Sequence, residues 1–117
     1  MARDPSAYLQ DIYDACVAIT EVTEAVSLEK YRARRAVISS VERGFIITGE
    51  AFLRVSALDE RLFHSISNSR AIIDFRNLLA HDHGAVDDDS VFGLVHSDLI
   101  VLQDEVGHLL RDLFDAN

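Results

Sequence analysis

The chain has 117 residues, of which 49% are apolar, and it carries a net charge of −9. That is the size of one domain with enough apolar material for a real core, and residues 1–117 are read as one such unit. A single cysteine, Cys16, excludes an intrachain disulfide and a cysteine-based zinc cluster. No apolar run approaches the roughly 20 residues of a membrane span, and Met1-Ala2-Arg3-Asp4-Pro5 is not followed by an apolar signal stretch. The expected setting is soluble, reducing and cytoplasmic.

The acidity is unevenly spread. Residues 1–29 carry one Arg against six acids, net −5. Residues 30–76 carry one Lys and eight Arg against five acids, net +4, and residues 77–117 only Arg111 against nine acids, net −8. A basic band thus lies between two acidic ends. Its arginines suit bidentate phosphate contacts, and they equally suit ion pairs between neighbouring helices.

Pro5 is the only proline, and residues 6–43 contain no glycine, so long helices are expected. Asp4 as N-cap and Pro5 at the first helical position start the first helix. Its apolar positions are Leu9, Ile12, Cys16, Ile19 and Val26, with a break near 26–29 and Ser27 available to cap a restart. The second helix runs from Leu28 or Tyr31 to about Val55, on the stripe Ala33, Val37, Val41, Phe45, Thr48, Phe52 and Val55. Gly44 and Gly49 inside it each cost about 1 kcal/mol against Ala, which implies a bend or a close helix approach there. Residues 56–67 read as a connection with one helical turn. A third helix covers 68–80 through Ile72, Ile73, Phe75 and Leu79. Residues 81–87 read as a loop, and the acids Asp87, Asp88 and Asp89 favour the start of a last helix over 90–114. No segment alternates like a strand. The expected fold is all-α, an antiparallel bundle of helices.

The segment Arg76-Asn77-Leu78-Leu79-Ala80-His81-Asp82-His83 carries the chemistry. Five residues turn a helix by about 140°, so Arg76 and His81 share no face unless the helix ends near Ala80 and frees the histidine. RNA cleavage without a metal needs a group to take the 2′-OH proton, which suits His81. It also needs a cation for the phosphorane-like transition state, which suits Arg76. Asn77 can hold the loop or the imidazole. A structural Arg–His pair at a helix end fits the same spacing. His81, His83 and the acids 87–89 also form a weak candidate metal set, although the acids are accounted for as helix caps. His64, His96 and His108 are isolated and read as surface or packing residues, and Cys16 as a small core residue.

The string RNLLAHDH, followed by Gly84-Ala85-Val86-Asp87 and a helix opening with Val91-Phe92, resembles the HepT-like branch of the HEPN superfamily. That family's motif is Arg, four to six residues, then His, usually within Arg-Asn-x-x-x-His-x-Tyr. Tyr8-Leu9-Gln10-Asp11-Ile12 resembles its opening helix, and Arg35-Ala36-Val37 through Ile47-Thr48-Gly49-Glu50-Ala51 its second. The resemblance implies a dimerising four- to five-helix bundle and a toxin of a type II toxin–antitoxin system. It implies a metal-independent endoribonuclease that needs no cofactor. It also implies a homodimer whose two motifs face one cleft, RNA as substrate, and a nucleotidyltransferase antitoxin that transfers AMP to the motif tyrosine. By position, Arg76 and His81 are then catalytic, with Asn77 and Glu50 supporting. His83 stands where the family has Tyr, so no phenol is present there for adenylylation. His83 remains open to stacking on a base, binding phosphate, acting as a second acid/base, or being a solvated loop residue. Two other readings stay in play: a non-catalytic module that binds or presents substrate to a nucleotidyltransferase, and a plain helical dimerisation domain.

Overall fold

The computed structural model describes residues 3–115; Met1, Ala2, Ala116 and Asn117 lie outside the described residues. Among the described residues seven α-helices follow in chain order: α1 Pro5–Thr23, α2 Leu28–Ala33, α3 Arg35–Leu58, α4 Glu60–Ser65, α5 Ser69–His81, α6 Asp88–Val95 and α7 Asp98–Asp115. One turn of 3-10 helix, His83–Ala85, separates α5 from α6. No strand occurs among the described residues, and the architecture is the all-helical bundle expected. No described helix is long and apolar enough to cross a membrane.

α1 starts as its sequence dictates. Asp4 accepts a hydrogen bond from the Ser6 N–H at 2.8 Å, with Pro5 next in line. Ala25, at φ 57°, turns the chain after Thr23, and the Ser27 hydroxyl accepts from the Lys30 N–H to restart it. The long second helix is divided at Arg34, whose backbone is extended at φ −111° and ψ 91°. No breaker residue marks this point. The short α2 is held instead by α6: Arg32 pairs with Asp89, and the fully buried Tyr31 ring lies 5.1 Å from that of Phe92. The last helix is divided as well, at His96 and Ser97. The Ser97 hydroxyl donates to the Gly93 carbonyl at 2.8 Å, and His96 Nδ1 sits 2.9 Å from the Phe92 carbonyl. These side chains satisfy the last carbonyls of α6 and let the chain turn. The expected connection at 56–67 is largely helical, since α3 runs on to Leu58 and α4 follows with Asp59 as its cap.

α3 is the central element and packs mainly on α1 and α5. Phe45, Phe52, Phe63 and Tyr31 are fully buried. Phe45 meets Phe75 edge-on at 5.2 Å, and Phe52 meets Phe63 at 6.0 Å. Burying each such ring stabilises the fold by about 1.5–3 kcal/mol, plus a smaller gain from edge-to-face geometry. Gly44 and Gly49 do not break α3; both mark close approaches. A Cβ on Gly44 would lie 2.5 Å from Ile19 Cγ1 on α1, and one on Gly49 would overlap Arg76 on α5. Cys16 is buried in the core, where burial pushes its thiol up to about 12, so it is a packing residue with no thiolate near neutral pH.

Candidate functional site

The site begins at Gly49. Without a side chain there, the backbone of α3 lies directly against the stem of Arg76, and a Cβ would also come within 3.3 Å of the Ile72 carbonyl. Arg76 is thereby anchored at its base, with its side chain only 21% exposed. Its guanidinium is steered from two sides. Nη1 donates to Asn77 Oδ1 at 3.0 Å, and Nη2 donates to Glu50 Oε1 at 3.5 Å. The Nε–H is buried and has no acceptor. The structure therefore brings Arg76, Asn77 and Glu50 together. Arg76 and Glu50 stand at the edge of a groove of about 620 Å³ between α1 and α3, whose lining also includes Tyr8, Ile47 and Arg54.

His81 is placed differently. α5 does not fray at Ala80. The Asp82 N–H donates to the Leu78 carbonyl at 2.9 Å and closes one more turn, so His81 belongs to the helix. Five residues after Arg76, it projects about 140° away from it. Its ring is exposed, and no hydrogen bond or ion pair holds it among the described residues. Within one chain, then, no hydrogen bond joins Arg76 and His81.

His83 is held by α3. Its Nε2 lies 3.1 Å from both carboxylate oxygens of Glu42. Nothing in the sequence alone singles out Glu42; the available signal is its position seven residues before Gly49, which puts it on the same face of α3. The candidate metal set at 81–89 does not assemble. Among the described residues no three His, Cys, Asp or Glu converge where an ion could be held, and Asp87 instead accepts from the Ser90 N–H as the cap of α6. His64, His96 and His108 lie on exposed helix surfaces away from the groove.

The basic band is only partly consumed by internal pairing. Arg32 pairs with Asp89 and Arg76 with Glu50, while Arg34, Arg43, Arg54 and Arg61 make no ion pair among the described residues. In the Arg32–Asp89 pair, the hydrogen bond from the guanidinium lowers the carboxyl pKa below its ordinary value.

No curated protein and no solved structure matches the chain significantly. The family model described as ribonuclease HepT-like does match, over residues 12–109, a span that contains α3, α5, the Arg76–His83 segment and most of α1 and α7. With the all-helical bundle and the motif segment lying in the expected order along it, the chain belongs to the HepT-like ribonuclease family.

Proposed function

We propose that the chain is a metal-independent endoribonuclease, the toxin of a type II toxin–antitoxin pair, with Arg76 and His81 as its catalytic residues. The observation that carries this reading is the guanidinium of Arg76, packed at its base against Gly49 and held by Asn77 and Glu50 at the edge of a groove. Such a pre-oriented cation suits the charge that develops on the phosphorane, and little side-chain freedom is left to lose when substrate binds. His81, exposed and without a partner, is available to take the 2′-OH proton. Asn77 and Glu50 act as supports that aim Arg76. Because the two catalytic side chains diverge by about 140° on one α5, a homodimer offers the arrangement that a single chain lacks. In it, two copies of α5 line one cleft. The unpaired arginines of the basic band then meet the RNA backbone, and the acidic ends lie away from it. The partner is a nucleotidyltransferase antitoxin, and the pair acts in the cytoplasm.

The test is RNA cleavage in the presence of a chelator. Wild type should cleave, and Arg76→Ala and His81→Ala should each lose about 10²–10⁴ of the rate while keeping the helical fold. Expression of the wild-type chain should arrest growth, and the partner should relieve it. One observation favours the non-catalytic binding module, namely that Glu50 neutralises part of the Arg76 charge in the free chain. Wild-type protein that binds a nucleotidyltransferase but leaves RNA intact would decide for that module.

A further inference from the structure

Residues seven apart on a helix point in nearly one direction, because seven residues close two turns to within about 20°. Glu42 and Gly49 are such a pair on α3. Gly49 lies against Arg76, and Glu42 holds His83. One face of α3 thus carries both contacts with the segment 76–83, spaced along the axis by about 10 Å. Arg76 and His83 lie on this side of the segment, and His81 turns away from it.

The Glu42 side chain is only 12% exposed, whereas that of His83 is 59% exposed. A carboxylate so far removed from water needs a donor, and among the described residues His83 is the hydrogen-bond partner it has. An ionised carboxylate only accepts, so the shared proton resides on His83 Nε2. Two acceptor oxygens at 3.1 Å fix both the ring plane and the tautomer, as carboxylates do for histidines in catalytic and metal sites. Nδ1 is left without a protein partner on a ring that is more than half exposed. The Tyr31 hydroxyl from α2 lies close enough to feel the Glu42 charge, and it also feels Asp88 from α6 and Arg35 from the head of α3; Asp82 is adjacent to His83 in the chain. The Tyr31 hydroxyl is buried and makes no hydrogen bond, so it does not compete for Glu42.

We propose that His83, oriented by Glu42, is the second proton-transfer residue of the cleavage, the general acid for the leaving oxygen of an RNA phosphodiester. This rests on the ribonuclease reading above. The 2′-oxygen attacks phosphorus as its proton passes to His81. The bond from phosphorus to the 5′-oxygen breaks, and that oxygen takes the proton from His83 Nδ1. The products are a 2′,3′-cyclic phosphate and a free 5′-hydroxyl. His83 is left neutral, with the Nε2 proton still held by Glu42, and regains its Nδ1 proton from solvent as His81 returns to solvent the proton it took from the 2′-hydroxyl. Glu42 is a positioning residue that acts through His83.

Two substrates test this on the full chain: an RNA oligonucleotide, and a nucleoside 3′-(4-nitrophenyl phosphate), whose leaving group needs no proton. His83→Gln should slow RNA cleavage by about 10²–10⁴ and remove the alkaline fall of the rate profile, with the nitrophenyl ester cleaved almost as by wild type. Glu42→Gln should give a smaller loss of the same pattern, and Glu42→Asp should restore part of it. If Glu42→Gln does not fold, His83→Gln carries the test, since its side chain is largely exposed. Equal loss on both substrates, or no loss on either, overturns the assignment. Arg76→Ala and His81→Ala separate the two levels. Both should lose both substrates; variants that cleave RNA like wild type overturn the roles given to Arg76 and His81, whereas a wild-type chain that leaves RNA intact removes the ribonuclease reading and this assignment with it.

Discussion

Two faces of α3 use the same device for different ends. At Gly44 the helix admits Ile19 of α1, an aliphatic side chain that is almost wholly buried. At Gly49, about 140° round the helix, it admits the stem of Arg76 of α5, whose charged end continues to the groove. A glycine on the first face serves packing alone. A glycine on the second serves packing and also places a cation. Mutations on the two faces should therefore separate stability from activity.

Of the two glycine substitutions, Gly49→Ala should have the larger effect. The new methyl would overlap Arg76 Cβ, an atom fixed to the backbone that cannot swing aside, so α5 has to shift. A displacement of that kind should lower RNA cleavage by on the order of 10²-fold and destabilise the fold by about 1–3 kcal/mol. Gly44→Ala should cost stability in the same range, toward its lower end, because Ile19 Cγ1 and Cδ1 belong to a side chain that can rotate. Its cleavage rate per folded molecule should match wild type. Initial rates set beside urea unfolding curves read both quantities. A rate loss in Gly44→Ala as large as that in Gly49→Ala would show that the two faces are not separable.

Much of this division was legible in the sequence. The stripe through Val41, Phe45 and Phe52 and the two interior glycines announced a long helix with close neighbours. The RNLLAHDH string marked the segment that α3 would meet. Asn77, read as a hold on the loop or the imidazole, instead accepts from Arg76, and Glu50 reaches the same guanidinium from α3. What was not legible arises from contacts between elements. Arg34 has no breaker residue near it, and α2 departs from α3 because Tyr31 and Arg32 are engaged by α6. The end of α6 depends on hydroxyl and imidazole groups turning back on their own carbonyls, a choice that an apolar stripe does not reveal. Glu42 sits 41 residues from His83 in the chain, so no local pattern connects them.

A third variant sharpens the stability side. Tyr31 is fully buried with no acceptor for its hydroxyl, so Tyr31→Phe should be neutral to about 1 kcal/mol more stable near neutral pH. Burial first, then the nearby Asp88 and Glu42, raise the Tyr31 pKa above its ordinary 10.0, with Arg35 opposing. A phenol whose folded pKa is raised contributes stability that is fully present below 10.0 and is lost as pH rises toward the folded value. Urea unfolding of wild type should therefore weaken above pH 10 more than that of Tyr31→Phe. Equal alkaline losses would remove Tyr31 as the source. Cys16, raised from 9.0 to about 12, adds a loss of the same sign from pH 9 upward in both proteins.

The smallest effect should come from Glu50→Gln. The pair with Arg76 is long at 3.5 Å and its carboxylate is more than half exposed, so its removal should cost well under about 1 kcal/mol. The amide oxygen still accepts from Arg76, so cleavage should change by less than about tenfold. A loss as deep as that of Arg76→Ala would promote Glu50 from an aiming residue to a participant.

The central claim is that Arg76 and His81 cleave RNA without a metal. The most direct measurement is the single-turnover rate on one RNA oligonucleotide in excess chelator, for wild type and for the two alanine variants, with the helical fold of each checked by circular dichroism. The account predicts cleavage by wild type that leaves a 2′,3′-cyclic phosphate, and a loss of about 10²–10⁴ in each variant. Folded Arg76→Ala and His81→Ala proteins that cut as fast as wild type would contradict it.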